Sequence, residues 1–240
     1  MKIFQKLSQS ENKISDSEVK IAFLGDSVTQ GCFEIFKNRN GNIGVATDEE
    51  HSYSRYVFNI LKLLFPKASI KIINAGLSGN QAPGGLQRVS SEVTPHNPDL
   101  TVVCFGLNDC KNKNEKRYTE ALKEIFIRLN ECGSEIIFMT PNMMNTEISK
   151  SITDPDFIKI AEDCAALQNE GFFDTYINAA KELCAEMAVP VCDCYSIWKD
   201  LYKNGVNVTE LLSNKINHPT KEMHAIFAYE LIKTMLKDGV

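Results

Sequence analysis

A serine at position 27 sits where it could act as a nucleophile. The segment Gly25-Asp26-Ser27-Val28-Thr29-Gln30-Gly31 directly follows a short apolar run. A serine at a strand-to-helix turn exposes its Oγ at the carboxyl edge of a sheet, and the helix start behind it favours developing negative charge. Taken alone, the segment equally fits a plain helix cap, because Asp and Ser are the preferred capping residues.

Three more blocks carry groups such a serine would need. Asn74-Ala75-Gly76-Leu77-Ser78-Gly79-Asn80 is a glycine-bearing turn able to present a main-chain N–H outward. Phe105-Gly106-Leu107-Asn108-Asp109 places a carboxamide donor after another apolar run. Asn217-His218-Pro219-Thr220 precedes a terminal amphipathic stretch, so that a proline holds the histidine ahead of a helix, as a general base requires. Each of these has a bland reading as a turn. The remaining histidines are weaker candidates: His51 and His96 lie in polar segments, and His224 belongs to the terminal helix in a packed or solvated role.

Positioning these groups falls to an alternating pattern of elements. Short runs rich in Val, Ile and Phe occupy 19–24, 70–75, 100–105, 135–139 and 189–191, and are read as buried parallel strands. Helical periodicity covers 53–65, 118–132, 172–187 and 221–236, where apolar residues recur on one face. Strands alternating with helices imply right-handed crossovers and a three-layer α/β/α sandwich around a parallel sheet. The polar, Gly/Asn-rich segment 32–50 reads as a long loop, and 142–169 as an excursion over the sheet edge with a helical run at 156–167. A chain of 240 residues with 43% hydrophobic and 24% charged residues suits a single α/β domain.

In this order along an α/β pattern, the four blocks resemble those of the SGNH/GDSL hydrolase superfamily. The matching residues are Gly25-Asp26-Ser27, Gly79, Gly106-Leu107-Asn108-Asp109 and His218-Pro219, spread over nearly the whole chain. The resemblance implies one domain over 1–240, built on a flavodoxin-like, mainly parallel five-stranded sheet. It implies Ser27 as nucleophile, His218 as general base, and an oxyanion hole made of the Ser27 N–H, the Gly79 N–H and the Asn108 side-chain amide. The implied reaction is hydrolysis of carboxylic esters through an acyl-enzyme, without a metal or organic cofactor. Short acyl groups, acetyl groups on carbohydrate foremost, are the leading substrate by analogy.

One position departs from the family pattern. The aspartate usual three residues before the histidine is Lys215 here, which leaves the third triad member unknown. The expectation is that no carboxylate bonds His218 Nδ1, and that Asp193 caps the helix beginning near Tyr195 rather than reaching the site. A backbone carbonyl from 214–216, or the Asn214 side-chain oxygen, is the expected orienting group.

Other classes fit less well. A thioesterase or lysophospholipase would need an apolar trench; Met139, Met143, Met144 and Ile148 could line one, but core packing accounts for them more simply. A catalytically silent binding module on the same fold would explain Lys215. Nucleotide binding is disfavoured because neither a P-loop nor a GxGxxG turn is present. The net charge of −5 and the broken basic cluster 111–117 argue against nucleic acid. The spacing Cys192-Asp193-Cys194 suits no metal knuckle, and scattered apolar-run cysteines read as reduced thiols. The N-terminal twenty residues lack an apolar signal core and no run reaches membrane length, so a cytoplasmic, membrane-free protein is expected.

Overall fold

In the computed structural model, which describes residues 1–14 and 18–237, helix α1 (Ile3–Glu11) leads into strand β1 (Val19–Gly25). A single helical turn, α2 (Ser27–Gln30), is followed by strands β2 (Cys32–Lys37) and β3 (Ile43–Thr47) and by α3 (Tyr53–Leu64). Next come β4 (Ile70–Gly76), α4 (Ala82–Glu92), β5 (Leu100–Cys104), α5 (Glu115–Glu131) and β6 (Glu135–Met139). Helices α6 (Pro155–Asn169) and α7 (Phe172–Glu186), strand β7 (Val191–Cys192), and helices α8 (Cys194–Lys203) and α9 (Lys221–Leu236) complete the chain.

The five-stranded sheet runs β4-β1-β5-β6-β7 with every pairing parallel, the flavodoxin-like order. The central strands β1 and β5 are buried because helices cover both faces: α9 packs with α3 and α1, while α5 packs with α4 and α7. The order reverses between β4 and β5 on either side of β1. The crossover from β1 to β4 therefore carries α3 on one face and that from β4 to β5 carries α4 on the other, so the carboxyl ends of β1 and β5 flank the point where an open parallel sheet takes its ligand. Ser27 follows one of those ends and Asn108 the other.

The covering helices form for local reasons. Ser52 Oγ accepts the Arg55 N–H and caps α3, which buries Tyr53, Val57 and Leu61 at helical spacing. Asn114 Oδ1 likewise caps α5, which buries Leu122, Ile125, Phe126 and Leu129. Full burial of each large apolar side chain contributes about 1.5–3 kcal/mol, enough that one such face selects the helix.

Segment 32–50 is not the loop its composition suggested. It forms the antiparallel β2–β3 hairpin, with Cys32 paired to Thr47 and Lys37 to Ile43 around an Asn/Gly turn. Strand β7 lies at Val191–Cys192, one residue beyond the expected run, and α1 and α4 are additional helices. No helix among the described residues is long and apolar enough to cross a membrane.

Candidate active site

At the end of β1 the backbone turns sharply, because α2 folds back over the strand end. A side chain at Gly25 would drive its Cβ into Thr29 Oγ1 and to 2.7 Å from the Cys104 carbonyl, so only glycine fits. Asp26, extended, accepts the Val28 N–H on Oδ1 at 3.0 Å and is the cap. Ser27 is thereby released from capping and begins the turn. The helix ends at Gly31, in the left-handed region with φ +86°, after four residues. A single turn carries little macrodipole, so stabilisation of negative charge here falls to individual N–H groups rather than to the helix the sequence suggested.

His218 Nε2 lies 2.9 Å from Ser27 Oγ, and each residue is only 3% exposed. The histidine loop is clamped from several sides. Asn214 Oδ1 accepts the N–H groups of Ile216, Asn217 and His218 at 2.9–3.0 Å, and the Asn142 amide donates to the Asn217 carbonyl. The Asn145 N–H donates to Ile216 O, and the Ser213 N–H to His218 O. Lys215 adopts φ +58° and reaches outward to Glu210 at 2.9 Å. Asn214 thus orients the loop backbone, not the ring as its place in the sequence suggested.

His218 Nδ1 is buried and has no hydrogen-bond partner among the described residues. Burial lowers the ring to about 4, and Lys111 pushes the same way. The opposing influence is the Phe33 backbone carbonyl on β2, which favours the charged ring without closing a hydrogen bond of normal geometry. A buried N–H left unpaired costs about 1–3 kcal/mol, so the neutral ring is held by its surroundings rather than by Nδ1.

The turn after β4 stands beside this pair. Gly79 has φ +72° and open space where a Cβ would lie, so backbone conformation, not crowding, calls for glycine. The neighbouring Ser78 N–H donates to Gln30 Oε1 at 2.8 Å, tying the turn to α2. Asn108 Nδ2 donates to the Asn80 carbonyl at 3.1 Å, which brings the carboxamide against the same turn. Beneath them the buried Arg88 guanidinium donates to the carbonyls of Gly25 and Ala75 and to Asn80 Oδ1, joining the ends of β1 and β4. Burial also raises two carboxyls, Asp26 to about 7 and Asp109 to about 6; backbone N–H groups of Val28 and Ala82 oppose these shifts.

Asp193 lies elsewhere. It caps α8 through the Ser196 N–H, and its oxygens are further engaged by Thr140, Ser196 Oγ and Lys181. His224 is fully buried and accepts the Tyr53 N–H on Nδ1, a packing role. His51 pairs with Asp48 on the surface. Neither Arg88 nor the Phe33 carbonyl was foreseeable from the sequence. A backbone carbonyl leaves no trace in a motif, and Arg88 lies in a helix that the pattern did not reveal. Among the described residues no group of three or more His, Cys, Asp or Glu side chains is arranged to hold a metal ion.

With this geometry in place, comparison with known proteins gives consistent matches. The family profile described as GDSL-like Lipase/Acylhydrolase family matches residues 23–226. An acetylxylan esterase of Geobacillus stearothermophilus is 26% identical over 176 residues, covering 68% of this chain and 78% of that one. The crystal structure of an acetylxylan esterase from that organism superposes with a TM-score of 0.65 at 20% identity, covering 93% of this chain and 97% of the other. Solved forms of that enzyme include catalytic mutants with a serine or an aspartate changed to alanine. A two-domain esterase active on acetylated mannans matches with a TM-score of 0.66 at 19% identity, over 98% of this chain and 54% of that one.

Proposed function

The chain belongs to the GDSL-like lipase/acylhydrolase family and is an SGNH carboxylic ester hydrolase, and from that premise we propose that it is a serine esterase removing acetyl groups from carbohydrate. The observation that carries the serine mechanism is the buried 2.9 Å contact between Ser27 Oγ and His218 Nε2. Ser27 Oγ attacks the ester carbonyl as Nε2 takes its proton. The tetrahedral oxyanion is held by the N–H groups of Ser27 and Gly79 and by Asn108 Nδ2. Collapse expels the sugar alcohol, protonated by the imidazolium, and leaves acetyl-Ser27. Water, deprotonated by His218, then releases acetate and regenerates the serine.

Similarity to enzymes named for acetylated xylan and mannan supports carbohydrate as the alcohol portion. A short acyl group is supported by the methionines. Met139, Met143 and Met144 are at most 1% exposed in the core, while Ile148 lies on the surface, so these four do not line an open apolar trench. Among p-nitrophenyl esters of graded length, kcat/KM is therefore expected to be highest for acetate and to fall as the chain lengthens. Acetate release from acetylated xylo- and manno-oligosaccharides tests the alcohol. A preference for long-chain esters would replace this reading with a lipase or thioesterase.

Asn108→Ala is expected to lower kcat by about 10²–10³ with little change in KM, because an oxyanion donor acts mainly in the transition state. Steady-state kinetics on p-nitrophenyl acetate separates the two parameters. A rise in KM alone would assign Asn108 to ground-state binding.

A further inference from the structure

A carboxamide serves an oxyanion only with its NH₂ end toward the reacting centre; turned over, it presents oxygen to oxygen. Both ends of the Asn108 amide have partners. Nδ2 donates to the Asn80 carbonyl at 3.1 Å, which leaves one N–H of the amide free for the site. Oδ1 faces the Lys111 ammonium at 3.3 Å, and an ammonium, having only donors, accepts nothing but the oxygen end.

Lys111 sits on a short 3₁₀ turn, Cys110–Asn112, that is anchored on both sides. The Cys110 N–H donates to Gly106 O and the Asn112 N–H to Asp109 O. The Asn112 amide donates to Gln81 Oε1, and Gln81 Nε2 donates in turn to the Asn108 carbonyl at 2.8 Å. The lysine is therefore carried on a frame that includes the backbone of the residue it contacts. Its charge is felt at the site, where it favours the ionised Asp26 and disfavours the protonated His218.

We propose that Lys111 is a positioning residue for ester hydrolysis: its ammonium holds the Asn108 carboxamide with Nδ2 toward the oxyanion and, by polarising the C=O, strengthens that N–H as a donor. The inference rests on Asn108 being an oxyanion donor. It concerns a residue outside the four family blocks and assigns it no contact with substrate.

The test is a double-mutant cycle on p-nitrophenyl acetate with Lys111→Met, Asn108→Ala and the combined variant, beside Lys111→Arg. Lys111→Met is expected to lower kcat about tenfold at unchanged KM, the scale of one charge-assisted hydrogen bond. Lys111→Arg should recover most of that loss. In the Asn108→Ala background, Lys111→Met should have little further effect, because the group through which it acts is gone. Additive losses in the cycle would overturn the proposal, as would unchanged kcat in Lys111→Met or a change confined to KM, which would make Lys111 a substrate contact. If Asn108→Ala itself retains full kcat, the failure belongs to the oxyanion reading and not to the Lys111 contact. Because Lys111 is exposed, an unchanged thermal unfolding midpoint is expected and separates a folding defect from a kinetic one.

Discussion

Ser27→Ala is expected to lower kcat for an activated acetyl ester by about 10⁴–10⁶, the loss that follows when the attacking oxygen of a serine hydrolase is removed. The fold should tolerate the change. Asp26 provides the cap of α2, and the contact made by Ser27 Oγ is to His218, so alanine removes no group that holds the turn. Residual turnover would come from the oxyanion donors and substrate binding alone. A fluorophosphonate probe read by mass spectrometry gives an independent answer: one adduct on Ser27 in the wild type and none in the variant. Wild-type-like turnover by purified Ser27→Ala protein would end the serine mechanism at Ser27, whereas a wild type that neither turns over esters nor takes the probe would be the binding module instead.

His218→Ala should cost about as much, ~10⁴–10⁶ in kcat, because nucleophile and base act as one unit. The pH profile carries the finer prediction. Burial disfavours the imidazolium and sets the ring at about 4, below the ordinary histidine value. The base works only when neutral, so activity is present above that value and lost as pH falls through it. The plot of kcat/KM, which reports the free enzyme, should stay level from about pH 8 to about pH 5 and bend only near pH 4. Asp193→Asn should leave this limb in place with activity within a few-fold of wild type, since that carboxylate is engaged by Lys181, Thr140 and Ser196. An inflection at or above about 6.5, the value of an unperturbed histidine, would mean that a carboxylate supports the ring after all. So would a ~10⁴-fold loss in folded Asp193→Asn, the scale expected when a triad aspartate is neutralised.

The sheet was legible because its strands are short β-branched runs ending in turn residues, a signal that survives without tertiary context. Helices α3, α5, α7 and α9 were legible for the same reason at the other period. Helix α4 was not, since Pro83, Gly84 and Gly85 depress its propensity and packing on α5 stabilises it instead. The β2–β3 hairpin did leave a trace, Asn40-Gly41 between alternating apolar residues, which the polar composition of the segment masked. Side chains able to do chemistry were recoverable as motifs, and the structure brings Ser27 against His218 and Asn108 against the Gly79 turn. The surroundings of the base were not recoverable. The Phe33 carbonyl belongs to backbone whose place depends on the hairpin, and Lys215 turns away because its backbone is left-handed.

The Ser27–His218 contact joins residues 191 positions apart, and the loop bearing His218 is pinned to Asn142 and Asn145 just beyond β6. Closing so distant a contact requires that the intervening strands already be paired, since loop-closure entropy must be met before non-local contacts reward it. Local helices form far sooner. Turnover is thus a reporter of complete assembly: on dilution from denaturant, ellipticity returns first and hydrolytic activity last, when the C-terminal loop docks against the end of the first strand.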